Sequence, residues 1–166
     1  EEEVLVANTE GVFAEEKRVR TRLFVLAVAQ DGAEVQTGYS APGKSVGLEL
    51  FDLYPPKAVG EKAARQALTN LKARPAPAGT FPVVVGPGFG GVLFHEAVGH
   101  LLETTSVARK ASVLADKLGE VVASPAVTYI DDGTLPHAWG STEMDDEGRP
   151  TERTVLIEKG VLKSYM

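Results

Sequence analysis

The sequence predicts an α+β fold: an antiparallel sheet with a covering helix, then a strand, a glycine-rich turn, a helix that carries two histidines, and β-hairpins. Three observations predict it. Apolar and charged residues alternate along residues 17–29, which indicates a strand, and residues 30–32 then form a hairpin turn signal. Apolar residues recur at helical spacing in residues 55–72. Beyond Gly119, short apolar runs are divided by turn residues, which is typical of hairpins.

Length and composition restrict the classes of protein to which this chain can belong. A chain of 166 residues can hold one domain or two small ones. The net charge of -6 disfavours a nucleic-acid surface, which needs clustered lysine and arginine. The absence of cysteine excludes a disulfide framework and a cysteine-based zinc site within this chain. No apolar run could span a bilayer and the start does not resemble a signal peptide, so we expect a cytoplasmic protein without direct nucleic-acid or membrane contact.

The first part of the chain is predicted as a sheet covered by one helix. Residues 4–7, 17–29 and 33–39 supply the strands, and the arginines of the second strand are expected on its solvated face rather than in a patch for an acidic ligand. The helix over 55–72 has a core face rich in alanine, so it can pack closely on the hairpin. Residues 74–79 are rich in proline, alanine and glycine. We therefore predict a first domain at 1–74 and a second at 79–166.

The second part is predicted to carry the chemistry. Residues 81–85 indicate a buried strand, 86–91 a tight turn, 92–103 a helix and 107–118 a second, more polar helix. Hairpins follow, with the last turn at 158–160. The acidic runs at 131–133 and 145–148 are interpreted as turns, since aspartate followed by glycine is what tight turns select and neither run has calcium-loop spacing.

Two histidines and a glutamate stand out in the predicted helix. His95 and His100 bracket Glu96 in an otherwise apolar run, and two imidazoles with a carboxylate are what a zinc hydrolase needs to hold its metal and supply a base. A spacing of five residues puts the two side chains roughly 140° apart on a regular α-helix. A single π-type turn, permitted by Gly99, would bring them together. Otherwise they would be a core histidine and a histidine at a helix C-terminus.

Phosphate binding is a rival interpretation of the same region. Residues 86–91 satisfy G-x-G-x-x-G between a predicted strand and a predicted helix, as in dinucleotide-binding folds. Pro87 lies inside the turn, however, and no second strand ending in an acidic residue follows at the required distance.

A wider set of residues resembles the TldD/PmbA family, also called modulators of DNA gyrase, whose members are zinc-dependent peptidases with an HExxxH motif. The resemblance is close over residues 79–166 and looser before them. The matching stretches are 90–100, 131–134, 140–141, 145–148 and 155–166.

This resemblance implies specific roles. His95 and His100 would be metal ligands and Glu96 the general base, in a TldD-like subunit that cleaves small or unfolded peptides in a homo- or heterodimer. The family's third zinc ligand is a cysteine in a C-terminal region that this chain does not contain. A non-catalytic regulator that binds DNA gyrase is the alternative from the same family name.

We also expect the chain to be a fragment with an incomplete, inactive site. It offers two convincing ligands, whereas catalytic zinc takes three from protein. If this chain supplied the third, Glu103, His137 or a nearby aspartate would provide it, although His137 is predicted to lie on the surface. The strand predicted at the end of the chain would leave an exposed edge, to be paired with a second copy or covered by a loop.

Overall fold

The computed structural model describes all residues from Glu1 to Met166 and divides into two compact units. The first comprises Glu1–Ala78 and Thr134–Thr151, and the second comprises Gly79–Gly133 and Glu152–Met166. The first boundary between the units, from Ala78 to Gly79, falls at the end of the proline-rich stretch at 74–79. Residues 134–151 also belong to the first unit, which the sequence-based division did not include. The domain limits 1–74 and 79–166 stay a prediction.

The first unit contains three two-stranded antiparallel ribbons, which pair β1 with β2, β3 with β6 and β4 with β5. Their strands are β1 Glu2–Ala7, β2 Phe13–Arg18, β3 Thr21–Arg22, β4 Val25–Asp31, β5 Glu34–Ser40 and β6 Gly43–Lys44. The single strand predicted over 17–29 is therefore wrong, since that stretch is shared among three strands with three different partners.

The expectation that the arginines of residues 17–29 face solvent is wrong for Arg18. Its side chain is only 13% exposed, because its Nε lies 2.9 Å from Glu16 Oε2 and its Nη2 donates to the carbonyl oxygen of Met144 at 3.1 Å. The alternating charge pattern did not predict this ion pair, because the sequence alone does not show that Glu16 is itself buried.

The predicted hairpin and its covering helix are both present. Strands β4 and β5 pair from Val25↔Ser40 to Asp31↔Glu34. Helix α2, Pro56–Leu71, follows the short helix α1, Leu50–Leu53, and buries its alanine-rich stripe. The close approach depends on Gly38, where a Cβ would overlap the backbone of Ala63 and Ala67.

The second unit begins with less regular structure than the sequence predicts. Residues 81–85 form no strand, and Val84 is 97% exposed because no other strand pairs with this stretch. The predicted helix over 107–118 is also wrong, since Lys110 and Asp116 adopt positive φ values that an α-helix does not accommodate. The observed elements are a 3-10 helix at Phe89–Gly91, α3 Val92–Ala97, a 3-10 helix at Gly99–Leu102 and α4 Thr104–Ala108.

The three-stranded antiparallel sheet of the second unit holds its core. It has the order β7 Tyr129–Asp132, β8 Arg153–Glu158 and β9 Val161–Leu162. The turn between β8 and β9 is confirmed, with Lys159 and Gly160 both at positive φ. The buried cluster consists of Leu102, Leu156, Ile157 and Leu162.

Of the two acidic runs predicted as turns, the run at 145–148 is one, whereas Asp131 and Asp132 lie in strand β7 and only Gly133 belongs to a turn. Asp145 Oδ1 accepts hydrogen bonds from the backbone N–H of Glu147 at 2.8 Å and of Arg149 at 2.9 Å, and Gly148 has φ +78°. These bonds lower the pKa of Asp145, and the bond from the backbone of Arg149 contributes most to the shift. The carboxylate is thus used by the loop that carries it.

No helix here combines the length and the apolar character that crossing a bilayer requires.

Candidate metal centre

The two histidines lie on opposite sides of a break in the motif helix. His95 is in the last turn of α3, whose C-cap residue is Val98, where φ is −133° and ψ is −39°. His100 belongs to the 3-10 helix that starts immediately afterwards. The predicted continuous helix over 92–103 with a π-type turn is therefore wrong. The direction of the second histidine is set by the end of one helix and the start of another between the two residues.

This break brings the three side chains of the motif together. The imidazole rings of His95 and His100 have centroids 4.5 Å apart and meet edge to face at 67°. One ligand atom from each of His95, Glu96 and His100 lies within 4.8 Å of the others, and all three residues are exposed. Because His95 is exposed, it is not a core histidine. Two imidazoles and a carboxylate at such separations could surround one small cation.

Gly99 has a steric rather than a conformational role. It is buried, and a Cβ at this position would lie 3.1 Å from the hydroxyl oxygen of Tyr129 and 3.3 Å from Nδ1 of His95. Both distances are tighter than ordinary van der Waals contact. A side chain at this position would therefore require the imidazole of His95 or the hydroxyl of Tyr129 to shift by a few tenths of an ångström.

The segment that carries His100 is fixed to the core of the second unit. Leu102 is fully buried in that core, and Val98 packs against it. Ser112 Oγ donates to the carbonyl oxygen of Leu101 at 2.6 Å, and the N–H of Met166 donates to that of Leu102 at 2.9 Å. The 3-10 helix thus has its apolar side and two of its carbonyl groups fixed by residues distant in sequence, while His100 remains exposed.

The charges around His100 favour its protonated form. Nδ1 of His100 lies 2.7 Å from Oε1 of Glu103, and Nε2 lies 3.5 Å from Oε2 of Glu96. The hydrogen bond to Glu103 is the main reason that the pKa of His100 is raised; slight burial opposes it, and the charges of Glu103 and Glu96 add to it. Nearby, burial raises the pKa of Tyr129, with a further contribution from Asp131.

The sequence left open whether Glu103 and His137 touch the site, and the structure shows where both residues lie. Glu103 contacts His100, and its position three residues later at helical spacing was the available signal. His137 lies exposed in a loop of the first unit, as predicted, with φ +58° and its carbonyl oxygen accepting from the N–H of Ser45.

Family models match nearly the whole chain. Residues 1–71 match the PmbA/TldA metallopeptidase central domain, and residues 78–166 match the PmbA/TldA metallopeptidase C-terminal domain. The two matched domains thus define the class of protein as a metallopeptidase family. The chain belongs to the PmbA/TldA family, which confirms the resemblance to TldD/PmbA proteins.

Individual relatives agree with this assignment. The chain is 42% identical over 173 residues to a metalloprotease TldD homolog of Haemophilus influenzae, an alignment that covers 99% of this chain and 35% of the relative. It is 40% identical over 159 residues to a metalloprotease of Methanothermobacter thermautotrophicus, covering 96% of this chain and 35% of that protein. The chain therefore spans about a third of the length of these curated relatives.

Solved structures share the architecture. A Thermotoga maritima protein described as a candidate modulator of a DNA gyrase superposes with a TM-score of 0.79 at 30% identity, over 98% of this chain and 36% of that one. TldE from Thermococcus kodakarensis has a TM-score of 0.64 at 23% identity, over 95% of this chain and 35% of that one, and shows likeness of fold alone. The mixed fold of small antiparallel sheets and helices is thus a family feature.

Proposed function

We propose that the intact protein is a zinc-dependent peptidase that hydrolyses small or unfolded peptides. The observation that carries the proposal is the convergence of His95, Glu96 and His100, whose ligand atoms lie within 4.8 Å of one another at a helix break. The metalloprotease names of the relatives support the reaction class.

The donor set suits zinc. Two imidazoles are borderline-soft nitrogen ligands of the kind zinc prefers, and their exposure leaves the site accessible to a substrate. His95 and His100 would hold the metal, which when bound would supply Lewis-acid chemistry and activate water for attack. Catalytic zinc takes three protein ligands, so the third comes from outside this set; the family resemblance implies a cysteine, and this chain has none.

Glu96 would perform the proton transfers. It adjoins the first ligand in sequence, and Oε2 lies 3.5 Å from Nε2 of the second ligand, His100. Its side chain is 64% exposed, so the carboxylate is accessible to water. The carboxylate would accept a proton from the attacking water and deliver one to the amine that leaves when the peptide bond breaks.

The assembly, cellular location and substrate that we propose are those that the family resemblance implies. We propose a TldD-like subunit that works in the cytoplasm as a homo- or heterodimer with a family member. The substrate is a peptide rather than a nucleic acid, consistent with the net charge of -6.

The decisive experiment replaces Glu96 by Gln in the intact protein. Turnover of a mixture of short unstructured peptides, followed by mass spectrometry, should fall about 10²–10⁴-fold with zinc content unchanged, because the base is lost and both imidazoles remain. A chelator should abolish the wild-type activity and zinc should restore it. Glu120→Gln is the matched control, since Glu120 is an exposed, ion-paired carboxylate of the same unit. Near-normal turnover of Glu96→Gln would refute the assignment.

Two alternatives predict other results. A nucleotide-binding module would gain thermal stability from a dinucleotide and ignore chelators; its fingerprint requires a strand before the glycine turn, and residues 81–85 form none. A non-catalytic regulator, suggested by the name of the Thermotoga maritima relative, would bind DNA gyrase equally well with His95, Glu96 and His100 all replaced.

A further inference from the structure

The carboxylate of Glu103 is directed away from the helix that it precedes. Glu103 occupies the N-cap position of α4, where an acidic side chain commonly accepts from the first free backbone N–H groups. No such side-chain bond exists here. The carboxylate instead lies 2.7 Å from Nδ1 of His100.

This contact determines which nitrogen of His100 is available. An ionised carboxylate can only accept, so Nδ1 carries the proton and donates to Oε1 of Glu103. In the neutral imidazole, Nε2 then has the free lone pair. Nε2 is also the nitrogen of His100 that faces Glu96, 3.5 Å from its Oε2.

Hydrogen bonds hold the backbone at Glu103 in place. Its carbonyl oxygen accepts from the N–H of Ser106 and of Val107, each at 3.0 Å, and the next residue, Thr104, donates its N–H to the carbonyl of Met166 at 2.7 Å. These bonds involve main-chain atoms, so they persist when the side chain is replaced. The side chain can therefore be changed without removing what starts α4.

A contribution to folding stability does not explain the pairing of His100 with Glu103. The side chains of His100 and Glu103 are 48% and 43% exposed. Exposed ion pairs contribute little to folding. An oriented second partner of a metal-binding histidine, by contrast, fixes its tautomer and ring orientation and typically changes metal affinity 10–100-fold.

We propose that Glu103 is a positioning residue that holds the imidazole of His100 with Nε2 presented to the metal. The proposal rests on the function proposed above, since it assumes that His100 is a ligand. It adds a residue that touches neither metal nor substrate and acts only through His100.

The test measures zinc affinity of the metal-free intact protein by competition with a chromophoric chelator, together with the visible spectrum of the cobalt-substituted protein. Glu103→Ala should weaken zinc binding about 10–100-fold and alter the cobalt spectrum. Glu103→Gln, whose amide oxygen can still accept from Nδ1–H, should recover much of the affinity. Glu120→Ala, which removes an exposed carboxylate paired with Lys117, should change neither readout.

A double-mutant comparison separates positioning from a merely structural role. In the His100→Ala background, Glu103→Ala should cause no further loss of zinc affinity, whereas a structural role would cost affinity in both backgrounds. If Glu103→Ala fails to fold, Glu103→Met takes its place, since it keeps the side-chain length without a carboxylate. Wild-type affinity in a folded Glu103 variant, with His100→Ala impaired, overturns the proposal and leaves the peptidase assignment intact. If His100→Ala also binds zinc normally, the assignment itself fails.

Discussion

At the scale of single residues, the absence of a side chain at Gly99 matters as much as the two histidines that we propose to bind metal. Gly99 lies between the two halves of the motif helix, and the imidazole of His95 and the hydroxyl of Tyr129 both reach the space where a Cβ would be. A methyl group there must displace one of them. Since Tyr129 packs against the buried core, His95 is the freer of the two.

We therefore predict that Gly99→Ala lowers zinc affinity. We expect a decrease of at least tenfold, because a shift of His95 misplaces one of the two histidines proposed to bind the metal. Isothermal titration of the metal-free intact protein measures it. Gly140→Ala is the control, since no atom lies within 4 Å of the corresponding Cβ. Equal zinc affinity in the two variants would show that the site tolerates the methyl group.

At the scale of elements, α2 lies on the hairpin of β4 and β5 at nearly backbone-to-backbone distance. A Cβ on Gly38 would overlap main-chain atoms of the helix and lie 2.7 Å from Cβ of Gln66. Two side-chain bonds join the same elements: Gln66 Oε1 accepts from the N–H of Tyr39, and Asn70 Nδ2 donates to the carbonyl of Thr37, both at 2.9 Å. The rigid neighbours leave little room for adjustment.

Two glycine substitutions in this pair of elements should therefore have opposite signs. Gly38→Ala should destabilise the first unit by about 1–3 kcal/mol, because the helix must move away from the strand. Gly60→Ala should stabilise it by about 0.5–1 kcal/mol, since Gly60 lies inside α2 and no atom lies within 4 Å of the position that its Cβ would take. Hydrogen exchange of α2 amides in the intact protein measures both. Faster exchange in Gly60→Ala than in the wild type would contradict the packing described.

At the scale of the whole molecule, a buried carboxylate connects distant parts of the first unit. Glu16 Oε1 accepts from the N–H of Glu143 at 2.8 Å, and its other oxygen pairs with Arg18, which itself reaches Met144. Burial acts to raise the pKa of Glu16. The bonds from Arg18 and from the backbone of Glu143 and Met144 outweigh it, so the pKa lies below its ordinary value of 4.5.

This shift predicts how stability depends on pH. Because the pKa of Glu16 is lower in the folded than in the unfolded protein, the contribution is present above about pH 4.5 and is lost as the pH falls through the lowered value. Glu16→Gln should destabilise the protein by about 1–3 kcal/mol at neutral pH, with a smaller difference in acid. Urea unfolding at several pH values measures it, with the exposed neighbour Glu15→Gln as control. A difference that stays constant with pH would exclude ionisation of Glu16 as the cause.

Local patterns determined much of this protein. The β4–β5 hairpin, α2 with its alanine face, the β8–β9 turn and the family could all be predicted, because each depends on residues close in sequence or on a specific motif. Sequence also selected His95, Glu96 and His100 as the candidate site, whose catalytic and metal-binding roles stay a proposal.

Only the tertiary structure decided the rest. Alternation over 17–29 could not show three strand partners, and apolar content at 81–85 could not supply a neighbouring strand, because pairing depends on residues elsewhere in the chain. Periodicity over 92–103 predicted one helix, whereas the chain breaks at Val98 and the following turn, including Leu102, packs into a core built from β8 and β9. The orientation of His100 depends in the same way on contacts with this core and with Glu103, which spacing along a helix does not encode.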